Sequence, residues 1–249
     1  MTTSKKAARN VCIATPSRDD RFTGEYVRFL YRLLSRSSAN GIDYTYAKVA
    51  YVDVEHARNL LVSSFYFNQP NCSHILFVDD DMGFEPELVE RMLDLDEEVV
   101  GAICHKRTID LKKLHSLGEL PFSQALAKSL EFIGRPKFKA ERKDGFVTVK
   151  SCGSGILLVS RSAISTMIEK IPSIVGKSNH PGLEKFLQPF DKIKEGDTQF
   201  SEDMSFCKRW TEQCTGKIWA STASPVSHVG SITLTSRFDD LTAPSSNAR

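Results

Sequence analysis

The sequence contains no apolar run close to the roughly 20 residues that a membrane-spanning helix requires. Its start, MTTSKKAARN, leads into a short apolar run rather than into the hydrophobic region of a signal peptide, so a cytoplasmic location is the expectation. The CxxC pairs of a zinc site are missing: Cys12, Cys72, Cys104, Cys152, Cys207 and Cys214 are scattered through mostly apolar surroundings, as reduced thiols would be. No GxGxxG, Walker lysine, HExxH or GxSxG motif is present, which removes nicotinamide-dependent, NTPase, zincin and serine-hydrolase chemistry. Excess charge is scarce as well. With 33 basic and 31 acidic residues the net charge is +2, too little to establish a nucleic-acid partner by itself.

What is present is a globular composition, 41% hydrophobic and 26% charged over 249 residues, enough to bury one large α/β core. Charge is uneven: Lys106, Arg107, Lys112 and Lys113, then Lys137, Lys139, Arg142 and Lys143, make the middle of the chain basic. Such runs are most often solvated faces.

Residues 11–15 (VCIAT) read as a buried strand that breaks at Pro16 into a polar loop. Tyr26, Phe29, Leu30, Leu33 and Leu34 then share a helical face that stops at Asn40-Gly41. A second strand over 44–49 precedes a helix in which Ala57, Leu60, Leu61, Ser64 and Phe65 form the apolar face, which points Arg58 and Asn59 away from the core. The run His74-Ile75-Leu76-Phe77-Val78 has the continuous hydrophobicity of a strand buried on both faces, and it ends in Asp79-Asp80-Asp81. A helix opening at Pro86 and a strand over 99–104 follow. This alternation predicts an α/β fold with a mostly parallel sheet flanked by helices, and ligands beyond the carboxyl ends of the strands.

After residue 105 the pattern loosens, and 105–145 reads as an insertion; strands are expected over 145–150 and 155–159. Ser162 is expected to cap a helix ending at Pro172, and 172–196 to form a long loop. The last helix begins near Ser201 and carries Phe206, Cys207, Trp210 and Cys214 inward, before a strand over 217–220.

Three adjacent carboxylates at the end of a buried strand repel one another and call for a cation. Oxygen ligands of this kind suit Mg²⁺ or Mn²⁺, which bind carboxylates and substrate phosphates together. A solvated acidic turn is the competing account. Glu202 and Asp203 follow Ser201 at a helix start, where acids can serve as a general base or simply complement the helix dipole. Ser151-Cys152-Gly153-Ser154-Gly155 either lets backbone approach a ligand or bends a strand end.

ILFVDDDM resembles the strand and DxD motif of GT-A glycosyltransferases, and the likeness extends over roughly residues 10–230. The resemblance implies a Rossmann-like nucleotide-diphospho-sugar transferase domain over 1–235, with the insertion near 105–145 and a flexible tail over 236–249. It also implies that Asp79 and Asp81 hold a divalent cation, with His228 as a further ligand, and that Asp80 is able to replace either acid. Thr15-Pro16-Ser17 resembles the segment that contacts base and ribose, Ala57-Arg58-Asn59 a segment placed by the nucleotide, and Gly153-Ser154 the lining of the sugar and acceptor pocket. Lys106 and Arg107 are expected to assist the phosphates. Ser201-Glu202-Asp203 resembles the ED motif, which makes Asp203 the first choice for general base and Glu202 the second.

The implied activity is metal-dependent, inverting transfer of a sugar from a nucleotide-sugar, a UDP-sugar first, to a hydroxyl acceptor. A glycan or small molecule is the expected acceptor, and the basic stretches leave room for a hydroxymethylated base in DNA. A nucleotidyltransferase on a similar scaffold, or a non-catalytic carbohydrate- or nucleic-acid-binding module, stands as the alternative.

Overall fold

The computed structural model describes residues 9–51, 53–137 and 139–231; the expected tail over 236–249 lies outside them. A ten-stranded sheet forms the centre. From one edge its path runs Ile42–Ala50, Arg9–Ser17, His74–Val78, Ile156–Ser160, Val99–Ala102, Ile218–Ser221, Phe146–Cys152, Leu130–Pro136 and Cys104–Ile109, with Arg142–Lys143 paired to Phe146–Cys152 off this path. The strands beginning at Ile42, Arg9, His74, Val99, Ile218 and Leu130 run one way, and those beginning at Ile156, Phe146 and Cys104 run the other. This is the α/β, Rossmann-like GT-A class expected of the sequence, with antiparallel strands inserted among the parallel ones.

Strand alternation sorts the side chains onto two faces. Val11, Ile13, Leu76, Val78 and Leu158 pack with Tyr26, Phe29 and Leu88 on one side. Cys12, Ala14, Ile75, Phe77, Leu157 and Val159 pack with Leu61, Phe65, Met167 and Phe206 on the other. Most of the flanking helices begin at a side-chain cap that satisfies a free backbone N–H: Thr23 for Gly24–Ser35, Asp53 for Val54–Asn68, Ser160 for Arg161–Lys170 and Ser201 for Glu202–Lys208.

Four local expectations are corrected. Ser160, not Ser162, caps the 161–170 helix; its Oγ accepts from the Ala163 N–H at 2.9 Å. Leu34 is exposed rather than turned inward, because the sheet supports only the Tyr26, Phe29 and Leu33 stripe. Residues 172–196 are not a plain loop but hold short pairings, Val175–Lys177 with Lys185–Leu187 and Lys194–Glu195 with Thr198–Gln199. Most consequentially, Arg58 and Asn59 are 2% and 1% exposed, so the 54–68 helix turns both toward the protein rather than away from it.

The segment 105–145 supplies the outer strands Cys104–Ile109 and Leu130–Pro136, with helices Leu111–Ser116 and Phe122–Ser129 between them. Among the described residues no helix is long and apolar enough to cross a membrane.

Candidate functional site

The carboxyl ends of Arg9–Ser17, Ile42–Ala50 and His74–Val78 lie side by side, because these strands are parallel neighbours. The first turns of helices Val54–Asn68 and Glu202–Lys208 face the same region. Between them is a cleft of about 810 Å³ lined by Pro16–Asp19, Arg21, Tyr51, Val54, Arg58, the three aspartates, Arg107, Glu202, Asp203 and His228–Ser231. Its lining holds six carboxylates and four arginines.

The three adjacent aspartates relieve their repulsion by turning to three different partners. Asp79 accepts from Arg58 Nη2 at 2.9 and 3.1 Å. Asp80 accepts from Ser17 Oγ at 2.6 Å, and burial raises its pKa above the ordinary carboxylate value despite that hydrogen bond. Asp81 accepts from Arg107 Nη1 at 2.7 Å through one oxygen, and its other oxygen lies 3.3 Å from His228 Nε2. Asp80 therefore faces the Ser17 side and does not share Asp81's partners.

Arg58 is the buried centre of the site. Besides Asp79, its Nη1 donates to Glu202 at 2.8 Å and to Asp203 at 3.0 Å. Burial works against its charge, but Asp79, Asp203 and Glu202 together outweigh that and raise its pKa. Its Nε has no hydrogen-bond partner among the described residues. Asn59 reaches the other way, donating to Asp191 at 2.7 Å and accepting from the Phe190 N–H.

The glycine segment lies behind these acids, not in the cleft wall. Strand Ile156–Ser160 runs antiparallel to His74–Val78 and brings Gly155 beside Asp79, whose N–H donates to the Gly155 carbonyl at 3.1 Å. A Cβ on Gly155 would stand 3.1 Å from Asp79 Oδ2, and one on Gly153 would stand 3.8 Å from Asp203 Oδ2. Ser154 is fully buried and its hydroxyl finds no partner among the described residues. Thr15 is also fully buried, hydrogen-bonded to Tyr26 at 2.6 Å, whereas Pro16 and Ser17 line the cleft. Lys106 leaves the cleft for Glu131 and lines a neighbouring pocket.

His228 is held in one tautomer. Its Nδ1 is 2.7 Å from the His105 carbonyl, which accepts only a proton, so Nδ1 donates and Nε2 points at Asp81. Burial lowers its pKa, but Asp81 and the His105 carbonyl outweigh burial and the net shift is upward. An imidazole whose far nitrogen donates to a backbone carbonyl is the arrangement that orients a metal ligand. Asp81 and His228 thus form a carboxylate–imidazole pair that fits Mn²⁺ or Mg²⁺ when phosphate oxygens and water complete the shell. Asp79 is committed to Arg58, and no cluster of three or more His, Cys, Asp or Glu among the described residues is arranged to hold a metal.

The residues sequence reasoning missed are Arg21, Tyr51, Val54 and the His105 carbonyl. Tyr51 carried a signal, because it directly follows the expected second strand and so had to sit at a carboxyl end.

No family model matches the chain, and no curated protein matches it. Among solved structures it is similar to A197 from STIV, over 90% of this chain and 86% of the other, with 14% identity and a TM-score of 0.47. It is also similar to a Drosophila β-1,4-galactosyltransferase 7 variant solved with manganese, UDP-Gal and xylobiose: 95% of this chain, 80% of the other, 16% identity, TM-score 0.45. A glycosyltransferase involved in glycosylation of the major capsid of PBCV-1 aligns over 65% of this chain and 64% of its own, with 12% identity and a TM-score of 0.33.

Proposed function

We propose that the protein is a nucleotide-sugar-dependent glycosyltransferase. The observation that carries this reading is the meeting, in one cleft, of the Asp81–His228 pair with the acids Glu202 and Asp203 hung on Arg58. The inner part of the cleft sets Asp79, Asp80, Asp81, Glu202 and Asp203 against Arg58 and Arg107, an excess of negative charge that repels a bare diphosphate. A divalent cation at Asp81 and His228 supplies the missing charge and stabilises the leaving nucleoside diphosphate.

The chain's own residues divide the rest. Pro16, Ser17, Arg21 and Tyr51 form the wall that receives base and ribose, a UDP group first. Arg107 turns to the diphosphate. Arg58 holds Asp203 by Oδ1, which leaves Oδ2 to take the acceptor's hydroxyl proton. As that O–H bond breaks, the acceptor oxygen bonds to the anomeric carbon, the bond from that carbon to the phosphate oxygen breaks in line, and the anomeric configuration inverts. Glu202 shares Arg58 and positions Asp203. The acceptor is a hydroxyl compound of the glycan or small-molecule class.

The test is turnover of UDP-, GDP- and CDP-sugars by the wild-type protein and Asp81→Ala, with and without Mn²⁺. Metal-dependent release of a nucleoside diphosphate, lost in the variant, is the expected result. Release of pyrophosphate from a nucleoside triphosphate would replace this reading with nucleotidyl transfer, and binding without turnover would replace it with a carbohydrate-binding module.

A further inference from the structure

Both oxygens of Asp81 are already engaged, one by Arg107 at 2.7 Å and the other by His228 at 3.3 Å. A cation can reach this carboxylate only if one partner yields. The Asp81 and His228 side chains are each 15% exposed, whereas that of Arg107 is 57% exposed. Its backbone, by contrast, is fixed: Arg107 lies within strand Cys104–Ile109, and Gly230 packs so closely that a Cβ there would stand 2.7 Å from Arg107 Cβ. The side chain also has somewhere to go, because Arg107 lines a second pocket of about 420 Å³ with Ile109 and Leu130 as well as the cleft itself. Arg58 is the opposite case, 3% exposed and bound to three acids.

We propose that Arg107 is a two-position residue: it neutralises Asp81 in the cation-free enzyme, and cation binding displaces its guanidinium onto the donor's diphosphate. The inference rests on the reading of the cleft as the donor site. Like charge drives the guanidinium off Asp81 when the cation arrives, and the diphosphate gives it a planar, bidentate partner of opposite charge. Cation and diphosphate then favour each other's binding reciprocally, through one side chain that serves each in turn.

The experiment is Mn²⁺ titration followed by electron paramagnetic resonance, on wild type and Arg107→Ala, alone and with inorganic pyrophosphate as the diphosphate probe. Arg107→Ala is expected to bind Mn²⁺ alone about fivefold more tightly, the scale of a lost exposed ion pair. With Mn²⁺ present it is expected to bind pyrophosphate about tenfold more weakly, the scale of a lost charge-assisted contact. Unchanged or weaker Mn²⁺ binding overturns the exchange, as does unchanged pyrophosphate affinity. Absence of Mn²⁺ binding in the wild type, or binding that Asp81→Ala leaves unaltered, overturns the reading of the cleft as well.

Discussion

Arg58 and Asp79 share a bifurcated hydrogen bond, Nη2 donating to both carboxylate oxygens at 2.9 and 3.1 Å, while the other arm of the same guanidinium holds Glu202 and Asp203. One buried cation thereby ties the acid that ends a strand to the acids that open a helix. Removing it leaves three carboxylates facing one another with little water. Arg58→Ala is expected to lose about 3–5 kcal/mol of stability in urea unfolding, the scale of a broken buried ion pair. Arg58→Lys, which keeps the charge but not the fork, should lose less.

Asp203 and Glu202 share Arg58 but separate in function. Asp203→Asn is expected to lower kcat by about 10²–10⁴-fold while leaving donor KM near wild type, the signature of a lost general base. Glu202→Gln should lower kcat by less than Asp203→Asn does. Steady-state kinetics on the donor identified by turnover make the comparison, and equal losses would remove Asp203 from its role.

The glycines behind the site differ in what they tolerate. A methyl on Gly155 presses on Asp79 Oδ2 at 3.1 Å, whereas the nearest atom to one on Gly153 is an Ile133 methyl at 3.4 Å. Gly155→Ala is therefore expected to cost about 1–3 kcal/mol, the usual penalty of overpacking. Gly153→Ala should cost less. Thermal unfolding of the two variants side by side checks the order.

His228→Ala should raise the Mn²⁺ dissociation constant by about tenfold or more, since even outer-shell partners of a metal ligand carry that much. Chelation by EDTA should abolish donor turnover, and added Mn²⁺ should restore it. Retained turnover in EDTA would remove the cation from the reaction.

A pH dependence arises far from the cleft. Burial first, and then Arg9, lowers the pKa of His74 below its ordinary value of 6.5. The unfolded chain therefore binds this proton more readily than the folded one, so stability is highest above the unfolded pKa and falls as pH drops through 6.5 toward the folded value. His74→Gln should flatten that part of the curve: the stability difference between pH 7.5 and 5.5, measured by urea unfolding, should be smaller in the variant than in wild type.

The aspartate run was legible because a continuous apolar strand must end at a sheet edge, which places whatever follows it in the ligand crevice. The Ser201 cap and the acids after it were legible for the same local reason. Arg58 was not. Hydropathy assigns a guanidinium to solvent, and only the three acids that meet it, 21, 144 and 145 residues away, reverse that preference. Nor could the position of Ile156–Ser160 be read. An apolar run long enough for a strand carries no mark of which neighbours it will separate, yet its insertion beside His74–Val78 is what brings the glycines up to Asp79.

All six cysteines are buried, and burial pushes the Cys12 and Cys104 thiols up to about 11 and about 12. Thiol reagents act on exposed thiolates, so the native fold presents them with almost no target. A single cysteine introduced at an exposed site such as Tyr31 or Phe122 would therefore be the one labelled by maleimide under native conditions. A fluorophore or spin label could then be attached selectively without first building a cysteine-free background.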